Sequence, residues 1–350
     1  MVDCIDFSGK KANQGVYGTM KRIARRTFIK NAAATGAALG GGLISAPAVI
    51  AQDAYPSRPI KFIVPLAPGG AIDFIARAVG ERMSGSIGQQ IVVENRTGAG
   101  GTIGMNTAME SAPDGYTILI TNDNAASAPH IMSLPQDYTK VLLPVCYLGR
   151  HGQILAAHKD LGVKSVKELV DYVKKNPKLG TATSGVGSNQ HVILEWFKRE
   201  AGIELTHVPY RGAGQAINDL VGAQVKAAFL GPTALRPHAD AGTLFMLSQS
   251  TAKRSPTLPN VPTMDESYKG LILEAWYAAF APANTPAPII AKLNAEMNKA
   301  LKDPKLIDTF TKGAIEPVGG APDDIGKLAR ADSDKYAKLV KELGIKAAGG

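Results

Sequence analysis

Residues 55–73 read YPSRPIKFIVPLAPGGAID. Ile60, Phe62, Ile63 and Val64 supply the β-branched and aromatic side chains of a buried strand. Pro65 and Pro68 end that strand, and Gly69 and Gly70, with no Cβ, leave the backbone open to a ligand at the start of a helix. The first N–H groups of a helix have no intrahelical partner, so a carboxylate can dock at this junction.

Outward from this stretch the alternation continues. The pattern predicts a strand at 60–65, a helix at 71–86, a strand at 90–94, a helix at 101–111 and a strand at 116–121. Such a βαβαβ succession implies a mostly parallel sheet covered by helices, an α/β fold. Past residues 137–148 it restarts with strand 153–157, helix 165–176, strand 179–183, helix 189–201, strand 205–208, helix 213–222, strand 226–230 and strand 243–248. Helix 165–176 (SVKELVDYVKKN) has Ser165 as N-cap, Glu168 at the capping-box position and Pro177 beyond its end, with Val166, Leu169, Val170 and Val173 on one face. Its role is scaffold. After a proline-rich connection (RSPTLPNVPTM, 254–264), residues 273–282 (LEAWYAAFAP) are apolar and long enough to cross between lobes. Helices follow near 286–302, with Pro286 in the first turn, and at 322–342.

Ahead of this domain, residues 25–51 (RRTFIKNAAATGAALGGGLISAPAVIA) show a basic start, a small-residue apolar stretch and a Val49-Ile50-Ala51 end suited to signal peptidase. Arg25-Arg26-Thr27-Phe28-Ile29-Lys30 resembles a twin-arginine export signal, with cleavage near Ala51 and a periplasmic destination. Met20 stands five residues before the arginine pair and is an alternative start to Met1. The formal charge is +9, but residues 1–51 hold seven Lys or Arg against two Asp or Glu, so only +4 belongs to the mature part. No cluster of basic residues with interleaved aromatics occurs there, which argues against nucleic-acid binding, while the mild positive bias suits small anions. Cys146 is the only cysteine beyond residue 51, so a disulfide within the mature chain is impossible. Roughly 300 mature residues are enough to bury a large core and divide into two lobes.

Three other segments repeat the glycine-rich junction: 95–101 (NRTGAGG), 184–188 (SGVGS) and 210–214 (YRGAG). In α/β sheets ligands gather at the carboxyl ends of strands, so such junctions in two lobes point to a ligand held between them. Enzyme motifs are missing. Gly98, Gly100 and Gly104 only approximate the dinucleotide fingerprint, and no phosphate loop or G-x-S-x-G elbow is present. Ser188 and His191 are three apart without a recognisable acidic partner, and the six histidines lack ligand spacing. No catalytic residue, cofactor or metal is expected. Arg211 is the best candidate for a charged ligand contact, because a guanidinium grips a carboxylate bidentately. Trp276 and Tyr277 either line a cleft or pack beneath the crossing segment, with packing favoured for Trp276.

Several stretches together carry a family pattern: 55–73, 92–104 (VVENRTGAGGTIG), 112–120 (APDGYTILI), 206–214 (THVPYRGAG), 254–266 (RSPTLPNVPTMDE), 275–282 and 313–320 (GAIEPVGG). In this order they closely resemble the Bug, or tripartite tricarboxylate transporter (TctC-like), family of extracytoplasmic substrate-binding proteins. The resemblance implies a two-lobed periplasmic binding protein fold of type II, each lobe a sheet flanked by helices, with the ligand cleft between them. Residues 52–152 and 277–350 would form lobe 1 and residues 153–276 lobe 2, behind a leader at 1–51. It also implies a monomer that closes on a small carboxylate and delivers it to the large and small membrane subunits of a tripartite tricarboxylate transporter. The alternative is a sensor of the same fold feeding a membrane kinase.

The family's carboxylate-gripping loop matches residues 66–73, its other first-lobe loop residues 121–127, and its second-lobe contacts residues 184–191 and 210–212. The expected ligand-binding set is therefore Leu66, Ala67, Gly69, Gly70, Asp73, Asn122 and Asn124 in lobe 1, with Ser184, Gly187, Ser188, His191, Tyr210, Arg211 and Gly212 in lobe 2. Gly69, Gly70 and Asp73 would form and brace the first-lobe site, Ser184, Ser188 and His191 would donate from the second, and Arg211 would take a second acidic group. The chain departs from the pattern at Phe229-Leu230-Gly231, where members often read Phe-Asp-Asn, at the loop 122–130 (NDNAASAPH) and between His130 and Val145. The missing acidic residue argues against an amino acid ligand and for a non-amino organic acid, a di- or tricarboxylate or an aromatic carboxylate.

Overall fold

The computed structural model describes residues 55–132, 134 and 136–345. The expectations for the leader (arginine pair, apolar stretch, cleavage near Ala51, alternative start) lie outside the described residues.

In the first stretch come β1 (Ile60–Val64), α1 (Ala71–Ile87), β2 (Ile91–Asn95), α2 (Thr102–Met109), β3 (Thr117–Asn122), α3 (Asn124–Ile131), the single turn α4 (Tyr138–Val141) and β4 (Leu143–Gly152). A second series follows: β5 (Ile154–His158), α5 (Val166–Lys175), β6 (Leu179–Thr183), α6 (Asn189–Ala201), β7 (Leu205–Pro209), α7 (Ala213–Val221), β8 (Ala227–Leu230), α8 (Pro232–Asp240) and β9 (Leu244–Gln249). The chain then returns through β10 (Glu274–Ala281), α9 (Ala287–Leu301), α10 (Pro304–Lys312), β11 (Glu316–Pro317) and α11 (Pro322–Glu342).

Two sheets result, with strand orders β11-β4-β10-β3-β1-β2 and β7-β6-β8-β5-β9. β1 lies between β2 and β3, parallel to both, which explains its run of buried residues: Ile63 faces one apolar cluster while Ile60, Phe62 and Val64 face the other. Its exposed Lys61 pairs with Glu94 of β2 at 2.9 Å. Neither sheet is purely parallel. β10 runs antiparallel to β3 and β4, and β5 runs antiparallel to β8 and β9, each in the corresponding slot of its sheet. The expectation of a mostly parallel arrangement thus gives way to two mixed sheets flanked by helices, because β10 and β11 in the first sheet and β5 in the second run against their neighbours.

The first crossing was not legible as a strand: β4 contains Pro144, Gly149 and Gly152, and its short apolar run, Val145 to Leu148, is broken off by Gly149 and Arg150 without alternation. It pairs with β10 along the length of that strand, and only Gln153 separates it from β5. Ser250 ties both crossings together, since its Oγ accepts from Gln153 N at 2.8 Å and donates to Leu273 O at 2.6 Å. Helices α3, α8 and α10 were also unread. Ser165 caps α5 as expected, but Glu168 accepts from Lys164 N instead of closing the box on Ser165. Pro286 is the N-cap of α9 and not a first-turn residue.

Gly104 has a packing role. A Cβ there would lie 2.6 Å from both Arg96 O and Pro65 Cα, so its absence lets α2 press against the end of β1. The approximate dinucleotide pattern is in this respect a close-approach device.

Apolar residues join the two sheets into one core that includes Ile63, Met105, Phe280 and Tyr336 on the first side and Leu169, Phe197 and Phe229 on the second. At its edge Asp123, which precedes α3, is fully buried; its Oδ2 accepts from Tyr336 Oη of α11 and from Asn189 Nδ2 of α6, both at 2.7 Å. Burial drives the Asp123 carboxyl up to about 7, against the lowering effect of those two donors and with a further rise from the charge of Asp332. The folded protein therefore keeps this proton over a range, from the ordinary 3.8 to about 7, in which the unfolded chain releases it. Its contribution to stability is complete below the lower value and is lost as pH rises through the upper one. Denaturation of the native protein and of Asp123→Asn from pH 4 to 7 should show the native protein losing stability relative to the variant. A constant difference between the two curves would refute the assignment.

Candidate functional site

The carboxyl ends of the parallel strands in both sheets open onto one cleft of about 800 Å³, where α1 and α3 of the first sheet face α6, α7 and α8 of the second. Leu66, Ala67, Gly69, Gly70, Asp73, Asn122, Asn124, Ser184, Gly187, Ser188, Arg211 and Gly212 all line it. His191 and Tyr210 do not.

At the first junction Gly69 adopts φ +82°, a left-handed conformation that a side chain disfavours, although a Cβ there would meet nothing. The turn is held by Asp73, whose Oδ2 accepts from Gly69 N at 3.0 Å and whose carboxylate takes Arg77 Nε at 3.0–3.1 Å. Burial alone would raise the Asp73 carboxyl, but the hydrogen bonds from Arg77 and Gly69 outweigh it and hold the group below its ordinary value. Asp73 is therefore an ionised brace already in use. Arg77 continues to Asn95 Oδ1 at 3.2 Å, and Asn95 Nδ2 donates to Leu66 O at 3.0 Å, so the whole loop is anchored from behind.

Three helices reach the cleft with glycine N-caps and no side-chain cap: α1 after Gly70, α7 after Gly212 and α8 after Gly231. Apart from Pro232, which opens α8 and has no N–H, their leading N–H groups are left to a ligand or solvent, and the peptide dipoles favour negative charge beside them. These termini come from both sheets. Among the described lining residues only Asp73 and Arg211 carry charge, and Arg211, exposed, enters no ion pair within 4.0 Å among the described residues.

The expected second-lobe donors are committed elsewhere. Ser188 Oγ donates to Gly185 O at 2.8 Å and caps α6 by accepting from His191 N at 3.2 Å, while Ser184 Oγ donates to Gln190 Oε1. His191 supports the loop: its Nδ1 accepts from Gly187 N at 3.1 Å, and its ring stacks on His207 with centroids 3.9 Å apart. Burial, aided by the nearby Lys198, lowers its pKa to about 4, so the ring is neutral as this acceptor role requires. Tyr210 turns its hydroxyl to Asp219 at 2.7 Å and so braces α7.

Other lining residues escaped the sequence reading. Ser127 fell in the matched loop 121–127 without being singled out; its buried Oγ finds no hydrogen-bond partner among the described residues, nor do Thr121 Oγ1 and Asp123 Oδ1 nearby in the chain. His151, Gln153, Ala275 and Tyr277 bring the crossing segments into the cleft, with Gln153 Oε1 accepting from Gln190 Nε2 at 3.0 Å. The one available signal was the alternation along 273–282. It sends Ala275 and Tyr277 to the cleft and Trp276 to the opposite face, where its Nε1 donates to Asp332 at 2.8 Å. Trp276 packs, as expected.

Residues 75–345 match the model of the family described as "Tripartite tricarboxylate transporter family receptor". Protein BugT of Bordetella pertussis is 34% identical over 308 residues, covering 87% of this chain and 94% of that protein. Among solved structures, periplasmic binding protein BugD superposes with a TM-score of 0.75 at 33% identity, over 83% of this chain and 99% of its own. A Rhodopseudomonas palustris protein solved with adipate gives 0.78 at 30% identity, over 83% and 99%. With that extent of match and a two-sheet architecture closing on one cleft, the chain belongs to the tripartite tricarboxylate transporter family of receptors, a family of periplasmic binding proteins.

Proposed function

We propose that this protein is a periplasmic receptor for a small organic carboxylate, which it carries to the large and small membrane subunits of a tripartite tricarboxylate transporter. The observation that carries this reading is the convergence of three glycine-capped helix N-termini, from both sheets, on a cleft in which Arg211 is the one cationic side chain among the described residues. A carboxylate between α1 and α7 would be met by backbone N–H groups and by Arg211, and would draw the sheets together around it. The adipate bound in the relative from R. palustris agrees in chemical class. The hydroxyls of Ser184 and Ser188 are spent on Gln190 and Gly185, so neither stands free as a nucleophile.

Mass spectrometry of ligand released from the purified protein should recover a carboxylic acid. Calorimetry with that acid should show Arg211→Ala weakening it by about 1.5–3 kcal/mol, the range for a charge-assisted hydrogen bond. An unchanged dissociation constant would remove Arg211 from the site, and recovery of a cationic or uncharged ligand would overturn the receptor reading.

Export through the arginine pair follows from the same proposal. Replacing Arg25 and Arg26 together by Lys should hold the protein in the cytoplasm with its leader intact, whereas the native chain should yield a mature N-terminus next to Ala51. Undiminished periplasmic recovery of the double variant would exclude the twin-arginine route.

A further inference from the structure

The floor of the cleft, where β4 and β10 run side by side, holds a hydrogen-bond chain whose direction is fixed. His151 Nδ1 lies 2.8 Å from Gly152 O, and a carbonyl oxygen can only accept, so Nδ1 carries the ring hydrogen. Burial, only partly opposed by that bond, pushes the His151 pKa down to about 4, so the imidazole is neutral and Nε2 presents a bare lone pair. Tyr277 Oη is 2.8 Å from Nε2. The tyrosine must therefore donate its single proton to His151, and burial, reinforced by the Asp123 charge, keeps the hydroxyl from ionising. What remains on Tyr277 Oη is acceptor capacity alone.

The surroundings sharpen this polarity. Tyr277 and His151 line the cleft beside small residues, Ala275 of β10 and Gly231, whose Cβ if present would stand 3.4 Å from the His151 ring. Of the two charged lining residues, Asp73 is engaged by Arg77 and Gly69, and Arg211 stands exposed at the start of α7. Neither belongs to a crossing strand, so the floor has no cation to receive a second carboxylate. An anionic group set against Tyr277 Oη would meet an oxygen lone pair, while a hydroxyl or amide N–H placed there would complete the chain.

Building on the carboxylate-receptor reading, we propose that Tyr277, set as an acceptor by His151 and Gly152, selects carboxylates whose far end carries a neutral hydrogen-bond donor, a hydroxyl or carboxamide, over those ending in a second carboxylate. The carboxylate end stays with the helix N-termini and Arg211, and the far end reaches the crossing strands. This makes Tyr277 a specificity-determining residue whose effect is read in ratios of affinity between ligands of one skeleton.

The test is calorimetric titration of the mature protein with two matched series: 4-hydroxybenzoate, 4-fluorobenzoate and terephthalate, and 5-hydroxypentanoate, pentanoate and glutarate. In at least one series the hydroxy acid should bind about tenfold tighter than the isostere that cannot donate, the effect of one net hydrogen bond, and tighter still than the diacid. In Tyr277→Phe that preference should collapse toward unity, with circular dichroism confirming that the variant is folded. If the variant fails to fold, the ranking within the native protein decides alone. Diacids binding as well as hydroxy acids, or a preference that survives in folded Tyr277→Phe, would overturn the role of Tyr277 and leave the receptor reading intact. Failure of every carboxylate to bind would overturn the receptor reading and this proposal with it.

Discussion

The antiparallel pairing of β4 with β10 is the constraint on which the rest of the structure depends. These two segments carry the chain out of the first sheet and back into it, and Ser250 bonds both to Gln153 and to Leu273 where they leave. Because β5 and β10 each enter a sheet in the same slot, the two sheets present the carboxyl ends of their parallel strands to a shared cleft. Helices that follow parallel strands begin at those ends, so the pairing alone brings five helix N-termini to one place. Without it, each glycine-rich junction would be only a turn.

What the cleft offers a ligand is electrostatic in a particular way. In the proposed receptor an anion would be met by peptide groups as well as by Arg211, since α1, α7 and α8 start at glycines that supply no capping oxygen. The polar side chains one would pick as donors serve instead as struts: Asp73 and Arg77 behind the first loop, Ser188 and His191 within the second, Tyr210 against Asp219. Backbone donors held by such struts are already oriented before a ligand arrives. Little conformational entropy then remains to be lost on binding.

Fold and site were legible to different depths. β1 could be read from its run of β-branched and aromatic residues, and α1 and α5 because each buries a face at helical spacing. β4 could not, because its burial arises from β10, some 130 residues later, and not from alternation within itself. The same division holds in the site. The glycine-rich junctions were found because a local backbone requirement writes itself into residue type, as with Gly69 at φ +82°. His151, Gln153 and Tyr277 were missed or left open because histidine, glutamine and tyrosine carry no mark of which way they face. His191 and Tyr210 were read as ligand contacts for the mirror reason: they sit at the right junctions, and only the packing of α6 on β7 and the reach of Asp219 turn them away.

By itself, then, the sequence determined the alternation of strands and helices, the glycine-rich junctions, the mild positive bias and the family pattern. These are properties of single residues and short spacings, governed by Cβ sterics, propensity and the periods 3.6 and 2. The tertiary structure alone decided which junctions share a cleft, which side chains brace it and which line it, and that Tyr277 gives its proton to His151 and keeps only acceptor capacity. Those outcomes rest on contacts between residues far apart in the chain, such as Asp123 with Asn189 and Tyr336, or His151 with Tyr277, whose direction is set only when burial removes water as an alternative partner.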